Sequence, residues 1–119
     1  LEDLVRSLHL MSKDWKDVTM LARTHGQPAS PTKLGKEIAV FSTRIEKQIM
    51  LLKTIPHSAK FGGATGNFNA HYAAYPDIDW HKFGEEFCNH LGLSRSFPTT
   101  QIEHYDNLAA FFDNLKRIN

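Results

Sequence analysis

The residues best suited to chemistry lie in one short polar stretch, Thr24-His25-Gly26-Gln27. His25 stands between a hydroxyl residue and a glycine, whereas a structural histidine normally lies on an apolar periodic face. A hydroxyl, an imidazole and an amide together can hold a carboxylate and move a proton near neutral pH. His25 is therefore the candidate functional histidine of the chain.

A second candidate lies near the C-terminus, in Thr100-Gln101-Ile102-Glu103. This spacing has the form of a capping box, with a threonine at the cap and a glutamate three residues on. It predicts that the last helix starts here, where free N–H groups and the helix dipole favour anions. The simpler alternative is that Thr100 only caps the helix and Gln101 faces solvent.

The glycine run Gly62–Gly66 is a weak nucleotide fingerprint, because it has neither the G-x-G-x-x-G order nor a G-K-[ST] ending. It predicts a tight loop lining a site, and nearby Lys60, Asn67, Asn69 and His71 receive no individual roles. No group of residues has metal-ligand spacing, so we expect no metal. The remaining histidines are expected at the surface, in packing or at helix ends: His9, His57, His81, His90 and His104.

Four helices must position these residues. Apolar spacing predicts the first over residues 1–11. The second should be capped by Ser30 with Pro31 at its first position, and should end before Pro56. The third should run from a cap at Asp79 to Gly92, and the fourth from residue 100 to the end. With no strand pair evident, the predicted fold class is all-α.

The second predicted helix carries a long apolar seam with no partner of equal length in the chain. Its members recur at steps of three and four: Leu34, Ile38, Phe41, Ile45, Ile49 and Leu52. We expect the missing partners in further sequence or in other subunits. The chain opens without methionine and both ends interrupt helical patterns, so we expect a fragment of a larger protein.

Composition excludes several classes of protein. The 119 residues are 41% hydrophobic and 23% charged with a net charge of +1, which favours a globular protein without general affinity for nucleic acid or membrane. No apolar run approaches the ~20 residues that span a bilayer. The single cysteine, Cys88, fits a reducing compartment.

Four segments together resemble adenylosuccinate lyases of the bacterial type, within the fumarase/aspartase superfamily. The Thr-His-Gly-Gln-Pro-Ala element indicates the superfamily, and the Gly-Asn-x-Asn-Ala-His and Thr-Thr-Gln-Ile-Glu elements narrow the resemblance to this family. The segments occur in the family's order at residues 20–31, 35–37, 66–76 and 99–103.

The resemblance implies that residues 1–119 are part of a central helical domain for catalysis and tetramerisation, a long-helix bundle, with N- and C-terminal parts absent. It implies a cytoplasmic, cofactor-free homotetramer whose active sites each draw on three subunits. The implied reaction is β-elimination of fumarate from adenylosuccinate, and from the succinyl-carboxamide ribotide of purine biosynthesis. His25 matches the general acid, Thr24 a residue near a substrate carboxylate, and Gln101 a substrate-binding glutamine.

Some features of the family are absent here. The mobile loop with its catalytic serine and the N-terminal Arg-Tyr and Thr-Ser elements are missing, so we expect the chain alone to be inactive and to self-associate. The family's Ile-Glu-Pro-His-Asp reads Ile102-Glu103-His104-Tyr105-Asp106, and no role is transferred to that histidine. The rival interpretations are another superfamily member, such as argininosuccinate lyase or aspartase, and a non-catalytic helical assembly module.

Overall fold

A computed structural model describes all residues, 1–119. Two compact units are formed, unit 1 by residues 1–51 with 118 and unit 2 by residues 52–117 with 119. No helix combines the length and the hydropathy that a membrane-spanning segment requires. The elements in chain order are α1 Glu2–Asp14, β1 Thr19–Thr24, β2 Gln27–Lys33, α2 Leu34–Thr54, β3 Ser58–Ala59, α3 Asn69–Ala74, α4 Trp80–His90, β4 Ser94–Arg95 and α5 Asp106–Ile118.

In unit 1, the end of α1 packs closely against the first turn of α2. The hydroxyl of Ser12 donates to the carbonyl oxygen of Gly35 over 2.7 Å, and the Gly35 N–H donates to the Trp15 carbonyl oxygen over 3.0 Å. A Cβ atom at residue 35 would lie 2.2 Å from the Ser12 carbonyl oxygen. Only glycine therefore permits this approach.

The chain between these helices forms an antiparallel hairpin, so the prediction that no strands pair is wrong. β1 and β2 pair from Thr19 opposite Lys33 to Thr24 opposite Gln27. The fold is helix-rich rather than strictly all-α. Two prolines lie in β2, Pro28 and Pro31, and a two-stranded ribbon consists only of edge strands, where a missing N–H is tolerated.

The predicted start of α2 is also wrong, because the residues expected to cap and open this helix belong to the hairpin. Ser30 and Pro31 lie within β2, and α2 begins at Leu34. The Leu34 N–H donates to the Val18 carbonyl oxygen over 2.9 Å, at the base of the hairpin. The helix ends at Thr54, before Pro56, as predicted. Of the apolar seam, only Ile49 is buried within the chain.

Unit 2 is built around Phe68, whose side chain is fully buried. Aromatic rings of Phe61, Trp80 and His81 surround it at centroid distances of 5.6–6.2 Å, and the Arg95 guanidinium lies 5.1 Å from its centroid. Such ring pairs add specific geometry to the burial of apolar surface. This cluster fixes the loop before α3 against α4 and β4.

The helices of unit 2 agree only partly with the sequence predictions. Asp79 caps α4 by accepting from the Lys82 N–H over 2.9 Å, and Gly92 follows the helix at φ +74°, as predicted. The short helix α3 was missed, because residues 56–76 show no apolar period and a loop was expected there. The last helix begins at Asp106, six residues after the predicted cap at Thr100.

Candidate functional site

His25 lies at the tip of the hairpin, in the two-residue turn that joins Thr24 to Gln27. Both turn residues have positive φ, +49° at His25 and +76° at Gly26. Turns with two positive φ angles match the right-handed twist of hairpin strands, and histidine adopts this conformation more readily than most residues. The imidazole is exposed and makes no hydrogen bond within the chain. Both ring nitrogens can therefore engage a ligand.

The base of the hairpin is held by several contacts that orient its tip. The ammonium of Lys33 donates to the Asp17 carbonyl oxygen and to the Thr19 hydroxyl, each over 3.2 Å. Together with the backbone bonds from the start of α2, these contacts join both strands to the α1–α2 contact. The position of His25 is thus set by residues close to it in sequence.

Glu37 ties β2 to the first turn of α2. Its Oε1 accepts from the Lys36 ammonium over 2.6 Å and from the Thr32 hydroxyl over 2.8 Å. The Lys36 hydrogen bond, followed by that of Thr32, lowers the pKa of Glu37 below its ordinary value. The carboxylate stays ionised at neutral pH and bridges strand and helix.

Gln101 lies in unit 2, in the wall of a cavity of about 630 Å³. The prediction that it stands at a helix N-terminus is wrong, because residues 100–105 form an irregular segment ahead of α5. The cavity also takes in the segment after α2, β3 and the first turns of α5. Its lining residues are Pro56, His57, Ser58, Ala59, Lys60, Leu93, Gln101, Ile102, Glu103, Tyr105, Asn107, Leu108 and Phe111.

Glu103 is the centre of the hydrogen bonding in this wall. Its Oε1 accepts from the hydroxyls of Ser96 over 2.5 Å and of Ser58 over 3.2 Å, and its Oε2 accepts from the Tyr105 N–H. The Ser96 hydrogen bond, followed by that of the Tyr105 N–H, lowers the pKa of Glu103. The carboxylate therefore accepts from hydroxyls instead of closing a capping box.

Gly66 permits the close approach of the glycine loop to the segment preceding Gln101. A Cβ atom at residue 66 would lie 2.1 Å from the Thr99 carbonyl oxygen and 2.8 Å from that of Thr100, and φ is +82°. No other residue fits both conditions. Beside it, the Lys60 ammonium donates to the Gly63 carbonyl oxygen and Lys60 lines the cavity.

The structure brings the predicted site residues together in two groups. Thr24 and His25 are neighbours in unit 1, while Gln101 and Lys60 share the cavity wall of unit 2. Asn67 and Asn69 are exposed and do not line the cavity.

His71 is half-buried, with its ring 4.8 Å from Trp80 and 5.2 Å from Phe68 between centroids. These contacts make it part of the aromatic cluster. Sequence reasoning missed Glu103, Ser58 and Ser96, because the capping-box spacing already explained the glutamate and two isolated serines carry no motif.

Comparison with protein families decides what kind of chain this is. A family model described as lyase matches residues 1–119. The chain belongs to this lyase family. Its curated relatives include the adenylosuccinate lyase of Dictyostelium discoideum, 53% identical over 121 residues, covering 99% of this chain and 26% of the relative.

Two bacterial relatives extend the agreement. The adenylosuccinate lyase of Haemophilus influenzae is 44% identical over 118 residues, 99% of this chain and 26% of the relative. That of Escherichia coli is 44% identical over 116 residues, 98% of this chain and 25% of the relative. The resemblance to adenylosuccinate lyases is confirmed, and the chain spans about a quarter of the length of these relatives.

Solved structures show the fold. A fumarate lyase from Mesorhizobium sp. BNC1 matches with a TM-score of 0.81 at 22% identity, covering 98% of this chain and 27% of that one. A β-carboxy-cis,cis-muconate cycloisomerase from Acinetobacter calcoaceticus matches with a TM-score of 0.72 at 22% identity, covering 95% of this chain and 26% of that one. The helix-rich fold of this chain is thus shared with a segment of each of these two proteins.

Proposed function

We propose that the protein carrying this chain is a carbon–nitrogen lyase that cleaves adenylosuccinate to AMP and fumarate. The same chemistry would release fumarate from the succinyl-carboxamide ribotide of purine biosynthesis. The observation that carries the proposal is the exposed imidazole of His25, held on a two-residue turn in a chain 53% identical to an adenylosuccinate lyase over 99% of its length.

The reaction is a β-elimination in which His25 serves as the general acid. A base removes a proton from the succinyl carbon, the C–N bond breaks, and its electron pair passes to the departing nitrogen. Because a nitrogen leaves poorly without a proton, a positioned imidazolium contributes roughly 10²–10⁴-fold to the rate. The imidazole has no competing partner within the chain, which leaves it free to donate to the substrate.

Thr24 and Gln101 are the proposed substrate-binding residues. The Thr24 hydroxyl adjoins His25 at the end of β1 and is exposed, so it can donate to a substrate carboxylate. The Gln101 amide offers both a donor and an acceptor at the wall of the cavity.

The chain spans about a quarter of its relatives, so the base and the nucleotide-binding groups are proposed to come from other segments or subunits. In this proposal residues 1–119 belong to the central helical domain of a cytoplasmic, cofactor-free homotetramer. Exposed apolar side chains on α1 and α2, such as Leu4, Phe41 and Met50, are available for its subunit contacts.

The test is the release of fumarate from adenylosuccinate by the protein that carries this chain, followed by ultraviolet absorbance. Turnover is expected for adenylosuccinate and not for argininosuccinate or aspartate. No turnover of adenylosuccinate by the assembled oligomer would reject the proposal, and turnover of either alternative would favour another superfamily member. Residues 1–119 alone are expected to show no activity.

A further inference from the structure

We infer that Glu103 is a positioning residue for the reaction, which holds Gln101 in place against the substrate. The inference rests on the proposed function, because it takes Gln101 as a substrate contact. Glu103 stands two residues after Gln101 and lines the same cavity. Its role follows from which parts of unit 2 its two carboxylate oxygens connect.

The three donors to Glu103 come from three separated parts of the chain. Ser58 belongs to β3, Ser96 follows β4, and the Tyr105 N–H immediately precedes α5. A single ionised side chain thus joins the two short strands to the segment that carries Gln101. Hydrogen bonds to a charged acceptor are about twice as strong as neutral ones, so this connection resists displacement.

Further bonds fix the groups that donate to Glu103. The Asn107 amide of α5 donates to the Ser58 hydroxyl over 3.1 Å. The Ser96 N–H donates to the Ala59 carbonyl oxygen over 2.9 Å, next to the β3–β4 pair. Each serine is therefore held from a second side, and the carboxylate accepts from donors that are already in place.

These contacts favour a positioning role of Glu103 over a direct one. Oε1 accepts from two hydroxyls and Oε2 from a backbone N–H, so three of the roughly four acceptor sites of the carboxylate are already used by the protein. Its negative charge is also offset by three donors, at a wall that includes Lys60 and His57. Gln101 makes no hydrogen bond within the chain and is the exposed polar end of this segment.

A double-mutant cycle on the assembled enzyme tests the inference, with kcat and KM for adenylosuccinate measured for Glu103→Gln, Gln101→Ala and the double variant. Glu103→Gln should lower kcat/KM about tenfold, the size of roughly one charge-assisted hydrogen bond, mainly through KM. The double variant should be no worse than Gln101→Ala, since a residue that acts only through Gln101 has nothing left to position. A merely structural role would give losses that add.

Asp113→Asn is the matched control, because it makes the same change of carboxylate to amide on the exposed face of α5 and should leave kcat/KM unchanged. Additive losses in the double variant, or an unchanged kcat/KM for Glu103→Gln, would overturn the inference. Turnover by the wild-type enzyme separates this outcome from failure of the proposed function. Should Glu103→Gln not fold, Ser96→Ala removes the shorter hydroxyl bond and enters the same cycle with the same expectation.

Discussion

The proposed site residues in the hairpin turn of unit 1 and in the cavity wall of unit 2 are held in place by different kinds of contact. His25 is held by neighbours in sequence, since its turn is two residues long and the strands beside it pair with each other. Gln101 is held by distant residues, since the segment before it packs closely against Gly66 and Glu103 accepts a hydrogen bond from Ser58. The position of His25 therefore depends on local structure, and that of Gln101 depends on tertiary contacts.

The difference predicts how each residue responds to damage. A local turn keeps its shape as long as its own backbone can adopt the required φ angles. A tertiary wall moves when any of several separated contacts is lost. Substitutions around His25 should therefore act on catalysis with little effect on folding, whereas substitutions around Gln101 should affect stability and substrate binding together.

The largest expected effect is that of His25→Ala. Turnover of adenylosuccinate should fall at least about a hundredfold, because the leaving nitrogen loses its proposed proton donor. The oligomer should stay assembled and its melting temperature should fall only slightly, since the exposed imidazole makes no hydrogen bond within the chain and alanine at φ +49° costs about 1 kcal/mol. Steady-state kinetics and sedimentation measure the two results.

His90→Ala is the control for this substitution, because His90 is also exposed and lies in the last turn of α4. It should leave turnover within about twofold of wild type, as is usual for surface substitutions away from a site. Retained activity in His25→Ala would remove this residue from the mechanism, and loss of the oligomer would show that the hairpin tip is structural.

Next in size is Gly66→Ala in the glycine loop of unit 2. The new Cβ would stand 2.1 Å from the Thr99 carbonyl oxygen at φ +82°, so both the clash and the backbone conformation are unfavourable. We expect the free energy of unfolding to drop by roughly 2–4 kcal/mol and KM to rise as Gln101 is displaced. Chemical denaturation and kinetics provide the measurements.

Gly92→Ala separates the effect of the steric clash from that of the backbone conformation. Gly92 has a similar φ of +74°, but an added Cβ atom would meet nothing within 4 Å, so this substitution carries only the backbone cost. Its loss should be about 1 kcal/mol, with KM unchanged. Equal losses at the two glycines would mean that the approach of Thr99 to the loop contributes nothing.

The same contrast explains what could be predicted from the sequence. The caps of α4 and the end of α2 before Pro56 depend on adjacent residues, and these predictions were confirmed. The strands were missed because Gly26 and Pro28 indicate an irregular passage and Pro31 suits the first position of a helix. Only the pairing partner reveals that this ribbon has two free edges.

The wall around Gln101 could not be predicted, because its determinants are far apart in sequence. The Thr100–Glu103 spacing satisfies a capping box, yet Glu103 accepts from Ser96 and Ser58, and α5 begins at Asp106. The hydrogen bonds from distant residues to Glu103 override this local capping pattern, and no spacing rule in the sequence predicts them. The tight glycine loop was predicted, but the segment that Gly66 approaches, at Thr99 and Thr100, was not.

A smaller effect is expected at Gly26, which tests whether the local turn positions His25. Its φ of +76° requires a residue that tolerates the left-handed region, and the space around it is open. Gly26→Asn should therefore retain most of the activity, whereas Gly26→Val should cost about 1–2 kcal/mol in the turn and misplace His25. Comparable kcat values for the two variants would show that the turn does not orient the imidazole.

The smallest expected effect is a pH dependence of stability, which tests the tertiary contacts of Glu103. Hydrogen bonds from Ser96 and the Tyr105 N–H hold the pKa of Glu103 below its ordinary value of 4.5. A carboxyl whose folded pKa is lowered stabilises the fold fully above its unfolded pKa and loses that contribution as pH falls through the folded pKa. The difference in unfolding free energy between wild type and Glu103→Gln should thus be constant near neutral pH and shrink as the pH drops below about 4.5. Denaturation curves at a series of pH values measure it; a difference that persists undiminished in acid would mean that the glutamate stabilises the wall by packing rather than as an ionised acceptor.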